Sequence, residues 1–148
     1  MKQELQNKLF EKYPNIFRQK DLSSQETCMC WGITCGDGWY TLIDTLCEAI
    51  QQRVQFINGQ KIKVKNNLKT LIPVKYQNDL ICEATQVKSK FGGLRFYTEG
   101  GDDFTNGLIS MAESMSYSMC ENCGNPGSIR KASRIKTLCK DCSNKIYK

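Results

Sequence analysis

Two cysteine pairs near the end of the chain, Cys120-Glu-Asn-Cys123 and Cys139-Lys-Asp-Cys142, are separated by 15 residues. Each Cys-x-x-Cys lets the backbone bend so that both thiolates aim at one centre. Two such pairs supply the four soft ligands that tetrahedral Zn2+ favours. The first pair runs on into Gly124-Asn125-Pro126-Gly127, turn chemistry suited to a metal knuckle that folds back sharply. Four protein ligands leave no open position for water or substrate, so one structural Zn2+ is expected. Two disulfides or four free thiols are the alternative reading.

The other chemistry-bearing groups are less specific. Lys88, Lys90 and Arg95 flank Phe91-Gly92-Gly93. On a tight hairpin these cations could hold a phosphate beside exposed backbone amides, or the glycines could serve the turn alone while Arg95 pairs with a carboxylate. Trp31 and Trp39 flank the Gly36-Asp37-Gly38 turn as a candidate ligand pocket. The aromatics could stack on a base, and Asp37 could bind ligand hydroxyls; core packing and an Asx turn are the plainer alternatives. Cys28, Cys30, Cys35, Cys47 and Cys82 either stay as buried thiols or build a second metal site. Glu83, Glu99, Asp102, Asp103 and Glu113 form no nuclease pattern, and no phosphate-cradling loop or nucleophile elbow is present. The chain has no histidine, which removes imidazole-dependent triads. No catalytic constellation is recognised.

These groups need elements to position them. Residues 2–12 read as a short amphipathic helix with Leu5, Leu9 and Phe10 on one side, ended by Pro14. Residues 19–27 read as a loop, and 28–35 as a strand or extended entry. Leu42, Ile43, Leu46, Ile50, Val54 and Ile57 recur at helical spacing, predicting a helix over 38–57 that Asn58-Gly59 stops. Lys61-Ile-Lys-Val-Lys65 alternates like an edge strand, and a further short strand is expected around 71–75. Residues 81–88 and Leu94-Arg-Phe-Tyr97 predict a hairpin. Asp102 or Asp103 caps a helix over 103–117, with Phe104, Leu108, Met111 and Met115 expected on its inner side. The fold class is therefore α+β: a small antiparallel sheet on two main helices, with a zinc-ribbon or treble-clef module at the end. The expected division is a body over 1–119 and a docked zinc module over 120–148.

With 148 residues and 40% hydrophobic content, the chain can build one modest core. No apolar stretch is long enough for a membrane span, and the first residues lack the apolar core of a signal peptide. Together with nine cysteines, this points to a reducing cytoplasm. The net charge of +6 is concentrated in two blocks: residues 49–78 carry six basic groups and no acidic one, and residues 120–148 carry seven basic and two acidic groups. Such blocks suit an anionic partner or are ordinary solvated lysine.

Three segments taken together resemble a family of small, mostly uncharacterised proteins encoded by bacteriophages and prophages. They are Trp31-Gly-Ile-Thr-Cys-Gly-Asp-Gly-Trp-Tyr40 running into Leu42-Ile43, Gln86-Val-Lys-Ser-Lys-Phe-Gly-Gly-Leu-Arg-Phe-Tyr97, and Met111-Ala-Glu-Ser-Met-Ser-Tyr117 leading into the cysteine pairs. The similarity covers residues 8–57 and 80–143, and the hairpin motif is its most specific part. In that family the second metal half often ends in Cys-x-x-His, where this chain has Cys142; both are sound zinc ligands. Segment 58–79 is longer here. The resemblance implies a phage accessory protein in a bacterial host cytoplasm and implies no activity.

Three partners fit these residues. A nucleic acid, DNA or RNA, would use Arg130, Lys131, Arg134, Lys136 and Lys140 on the zinc module, and the position of that cluster favours this reading. A nucleotide messenger of bacterial immunity, sequestered as counter-defence, would need a concave pocket with fixed cations. A host defence protein is the third.

Overall fold

The computed structural model describes residues 1–66, 79–131 and 133–147. The expected short strand around 71–75 lies outside the described residues. Among the described residues the architecture is α+β, with four α-helices, a three-stranded sheet and a separate two-stranded hairpin.

Helix α1, Gln3–Lys12, has an acidic group in its first turn and a basic one in its last, which complements the helix dipole. Leu9 is buried, and Tyr13, at the C-cap, donates its hydroxyl to the Asp44 carbonyl and carboxylate. Residues 18–21 and 29–31 form 3-10 turns instead of loop and strand. Only Ile33–Thr34, strand β1, is extended. It pairs in parallel with β2, Cys82–Lys90, which pairs antiparallel with β3, Gly93–Gly100. The sheet is thus mixed, and its β2–β3 hairpin follows the alternation in the sequence.

Helix α2, Tyr40–Asn66, buries Leu42, Ile43, Leu46 and Ile50 in the main core. Its end corrects the sequence expectation. The backbone stays helical through Asn58-Gly59 and across 61–65, where an edge strand was expected. The physical reason is a partner distant in sequence: the Asn58 side chain donates to the Leu80 carbonyl at 3.0 Å and accepts from the Leu80 N–H at 2.9 Å. It therefore ties the helix to the entry of β2 instead of capping it. Gly59 costs a helix about 1 kcal/mol, and once nucleated a run with Gln and Lys propagates through it.

Helix α3, Asp103–Ser116, starts where Asp102 accepts from the Thr105 N–H while the Thr105 hydroxyl accepts from the Asp102 N–H, a reciprocal cap. Its inner face is not the expected one. Thr105, Ala112 and Ser116 are buried, and Leu108 and Ile109 pack partly against the core. Phe104, Met111 and Met115 are exposed. Small residues let α3 lie close to β3, where the Ser116 hydroxyl accepts from the Leu94 N–H at 2.8 Å.

Asp102 also pairs with Arg53 at 2.9 Å, and its carboxylate is nearly fully buried. Burial pushes its pKa up, but the Thr105 amide and the Arg53 guanidinium outweigh that and hold it below the ordinary range. A depressed carboxylate adds stability above its unfolded pKa of about 3.9, and that stability is lost as pH falls through the lower folded value. Asp102→Asn should therefore be less stable than the parent at neutral pH by roughly 1–3 kcal/mol. The difference should shrink below about pH 4, and urea unfolding across pH measures both.

Candidate metal centre

The cysteine module is built from short local pieces. Cys120–Cys123 forms a knuckle in which the Gly124 N–H donates to the Cys120 carbonyl at 2.9 Å. Strands β4, Ser128–Arg130, and β5, Lys136–Leu138, make an antiparallel hairpin. Helix α4, Lys140–Ile146, begins at Cys139, whose sulfur accepts from the Cys142 N–H. Knuckle, hairpin, then a helix carrying the second pair at its start is the order of a treble clef.

The four sulfurs lie within 4.8 Å of one another and could hold one metal ion. Metal–sulfur bonds of about 2.3 Å set tetrahedral sulfurs about 3.8 Å apart; Cys123 and Cys139 Sγ are 3.7 Å apart. Asn122 donates to the Cys142 sulfur at 3.2 Å, and such outer hydrogen bonds orient thiolate ligands. Burial pushes the Cys120 thiol up, yet backbone N–H groups of Cys139, Cys123 and Asn122 outweigh it and bring it down to about 7. Cys123 receives a backbone N–H from Asn125, but desolvation and the neighbouring thiols of Cys120, Cys142 and Cys139 push it up to about 12. A bound cation removes that conflict, because a coordinating thiol is deprotonated outright.

Among the described residues, contacts from several segments seat the module on the body. In the Gly36-Asp37-Gly38 turn the Gly38 N–H donates to the Glu121 carbonyl at 2.9 Å, and the Gly36 N–H donates to the Glu121 carboxylate at 3.2 Å. The fit excludes side chains: a Cβ at Gly38 would lie 2.2 Å from the Cys120 carbonyl oxygen, and one at Gly36 2.1 Å from that of Glu121. The second contact is the Phe91-Gly92-Gly93 turn, whose Gly92 carbonyl accepts from the buried Thr137 hydroxyl at 2.6 Å. Within the body, just ahead of the knuckle, the Trp39 indole donates to the Met119 carbonyl at 2.9 Å. Glu121 gathers these parts. Its buried carboxylate also accepts from Ser89 at 3.1 Å and from Lys136 at 3.3 Å.

This arrangement sorts the residues singled out above. Trp39 is fully buried in the main core, whereas Trp31 is 71% exposed on a separate groove. Asp37 accepts from the Lys2 N–H at 2.7 Å and pairs with the Lys2 ammonium. Lys88 and Arg95 are direct cross-strand partners, but Arg95 donates to the Tyr117 hydroxyl and the Leu94 carbonyl. Lys88 lies over the Tyr97 ring and Lys90 over Phe91. The hairpin glycines serve close packing, since a Cβ at Gly93 would strike the Tyr117 ring at 2.4 Å. Arg130 is half-buried, and Lys131, Arg134 and Lys140 are exposed. None of the four has an ion-pair partner among the described residues. Lys136 is engaged by Glu121.

Among the described residues no second group of cysteines lies close enough to hold a metal. Cys35, Cys47 and Cys82 are buried, and desolvation raises all three thiols. Sequence reasoning missed Glu121, Thr137, Ser89 and Asn122. Glu121 and Asn122 lie inside the first cysteine pair, but the atoms they and the others bind come from distant segments. Among the described residues no helix is long and apolar enough to cross a membrane. Comparison with protein-family models, with curated proteins and with solved structures gave no match.

Metal-stripped protein titrated with Co2+ should take up one ion per chain and develop the intense thiolate-to-cobalt absorption and visible bands of a tetrahedral sulfur site. Cys139→Ser should weaken both. An octahedral spectrum, or none, would contradict the ligand set.

Proposed function

We propose that this is a non-enzymatic, zinc-stabilised phage accessory protein whose metal module binds DNA or RNA through its basic face. Four thiolates suit Zn2+ over hard cations, which favour oxygen ligands. The observation that carries the nucleic-acid reading is the state of the module's cations. Arg130, Lys131, Arg134 and Lys140 lack ion-pair partners among the described residues, although a carboxylate on the same module, Glu121, pairs with Lys136. Cations without ion-pair partners among the described residues are available to neutralise phosphates. The zinc positions that surface and takes no part in chemistry.

Capture of a small nucleotide in the manner of counter-defence would draw on Lys88, Lys90 and Arg95. Their engagement with Tyr97, Phe91 and Tyr117 weighs against a phosphate pocket at that hairpin.

Replacing Arg130, Lys131 and Arg134 together with Glu should abolish retardation of DNA or RNA fragments while leaving zinc content unchanged. For the parent, log affinity against log salt should fall with a slope of about −3 to −4 on duplex DNA if all four cations meet phosphates. Unchanged binding by the triple variant would overturn the reading.

A further inference from the structure

The exposed Trp31 stands on a groove of about 640 Å3 between α1 and the 29–31 turn. That volume is in the range of small-molecule sites, roughly 300–1,000 Å3. Phe10, Pro14, Met29 and Cys30 supply apolar lining, and Gln3, Asn7 and Glu11 supply polar edges. The two tryptophans divide sharply: Trp39 has no exposed surface, and Trp31 leaves an indole face open to solvent beside a concavity.

The charges of the groove limit what it takes. Lys20 is paired with Asp21 and lies over the Phe10 ring, so neither that cation nor that aromatic face is open. Glu11 adds a negative group, which disfavours a phosphate inside the groove. What remains is a flat aromatic face, a carboxylate that accepts, and a carboxamide pair in which Gln3 Nε2 donates to Asn7 Oδ1 at 2.9 Å, leaving the Gln3 oxygen to accept and the Asn7 nitrogen to donate. Gln and Asn match base edges, and Glu accepts from a base amino group. An open tryptophan face stacks on any base.

We infer that this groove holds one unstacked nucleobase, with its sugar–phosphate directed outward, and that the protein therefore prefers single-stranded nucleic acid to duplex. The inference rests on the basic-module reading for the phosphates, and the chain's geometry links the two surfaces. Gly36 lies five residues beyond Trp31, at most about 18 Å along an extended backbone. There its N–H shares the Glu121 carboxylate with Lys136 of strand β5. A strand of a few nucleotides can thus place a base on Trp31 and phosphates along the module.

The full chain, purified without chelators, is titrated with a single-stranded oligonucleotide, the matching duplex, and free adenosine and cytidine, while tryptophan emission is followed. Because Trp39 is buried, quenching reports Trp31. The expected result is quenching by the single strand and by at least one nucleoside. Trp31→Ala should weaken the single strand roughly tenfold or more with little effect on duplex. Trp31→Phe should restore most of the loss, and thermal unfolding of both variants should match the parent. Equal affinity for both nucleic acids with an unaffected Trp31→Ala would overturn the groove and leave the basic module standing. Quenching by nucleosides without retention of any oligonucleotide would instead overturn the module reading and keep the groove. Quenching by an arginine-rich peptide but by no nucleoside would make it a cation site and refute the inference.

Discussion

The seating of the Gly36-Asp37-Gly38 turn against the Cys120–Cys123 knuckle is the constraint on which the remaining structure rests. Two backbones approach so closely that neither glycine has room for a side chain, and Glu121 fastens the contact from inside the metal knuckle. The turn stands between β1 and α2, so the knuckle is held at the junction of the sheet and the longest helix. The same carboxylate reaches Ser89 on β2 and Lys136 on β5. One buried acid thus joins both sheets and the ligand loop.

The module has little apolar interior of its own. Its buried cluster consists of Cys120, Leu138 and Cys142, with Cys139 and Tyr147 packed against it. Such a cluster is far smaller than the core of the body and cannot by itself offset the conformational entropy lost when the module is ordered. A metal ion held by the four thiolates would add stabilisation that this packing lacks. The body has a different balance: α1, α2 and the sheet share one continuous core that includes Phe17, Trp39, Ile43, Ile50 and Phe96. Metal binding would therefore stabilise a different part of the molecule from apolar burial, and the glycine turn joins the two parts.

What the sequence disclosed follows from the range of each interaction. The four ligands and the 81–97 hairpin were legible because their signals, Cys-x-x-Cys spacing and a Gly-Gly turn between alternating runs, are local. The end of α2 was hidden because Asn58-Gly59 is a common helix stop, and only a partner at Leu80 turns Asn58 into a clip. The inner face of α3 was misread because hydrophobicity picked Phe104, Met111 and Met115, while close approach to β3 selects Thr105, Ala112 and Ser116. Trp31 and Trp39 look alike in sequence; packing in the main core buries Trp39, whereas the 29–31 turn leaves Trp31 open. Glu121 carried no local sign at all, since its partners come from residues 36, 89 and 136.

Functionally, the structure separates a scaffold from its surfaces. The conspicuous glycine motifs belong to the scaffold, where they dock the module. The cations without ion-pair partners among the described residues and the open indole lie outside it. The most direct test of this account is amide hydrogen exchange at Gly38, together with exchange of the Trp39 indole, in metal-loaded and metal-stripped protein. The account predicts that both are protected with metal and exchange rapidly without it, while the middle of α2 around Ile43 and Ile50 stays protected. Equal protection of Gly38 and Trp39 in the two forms would show that the turn holds the knuckle without the ion, contrary to the account.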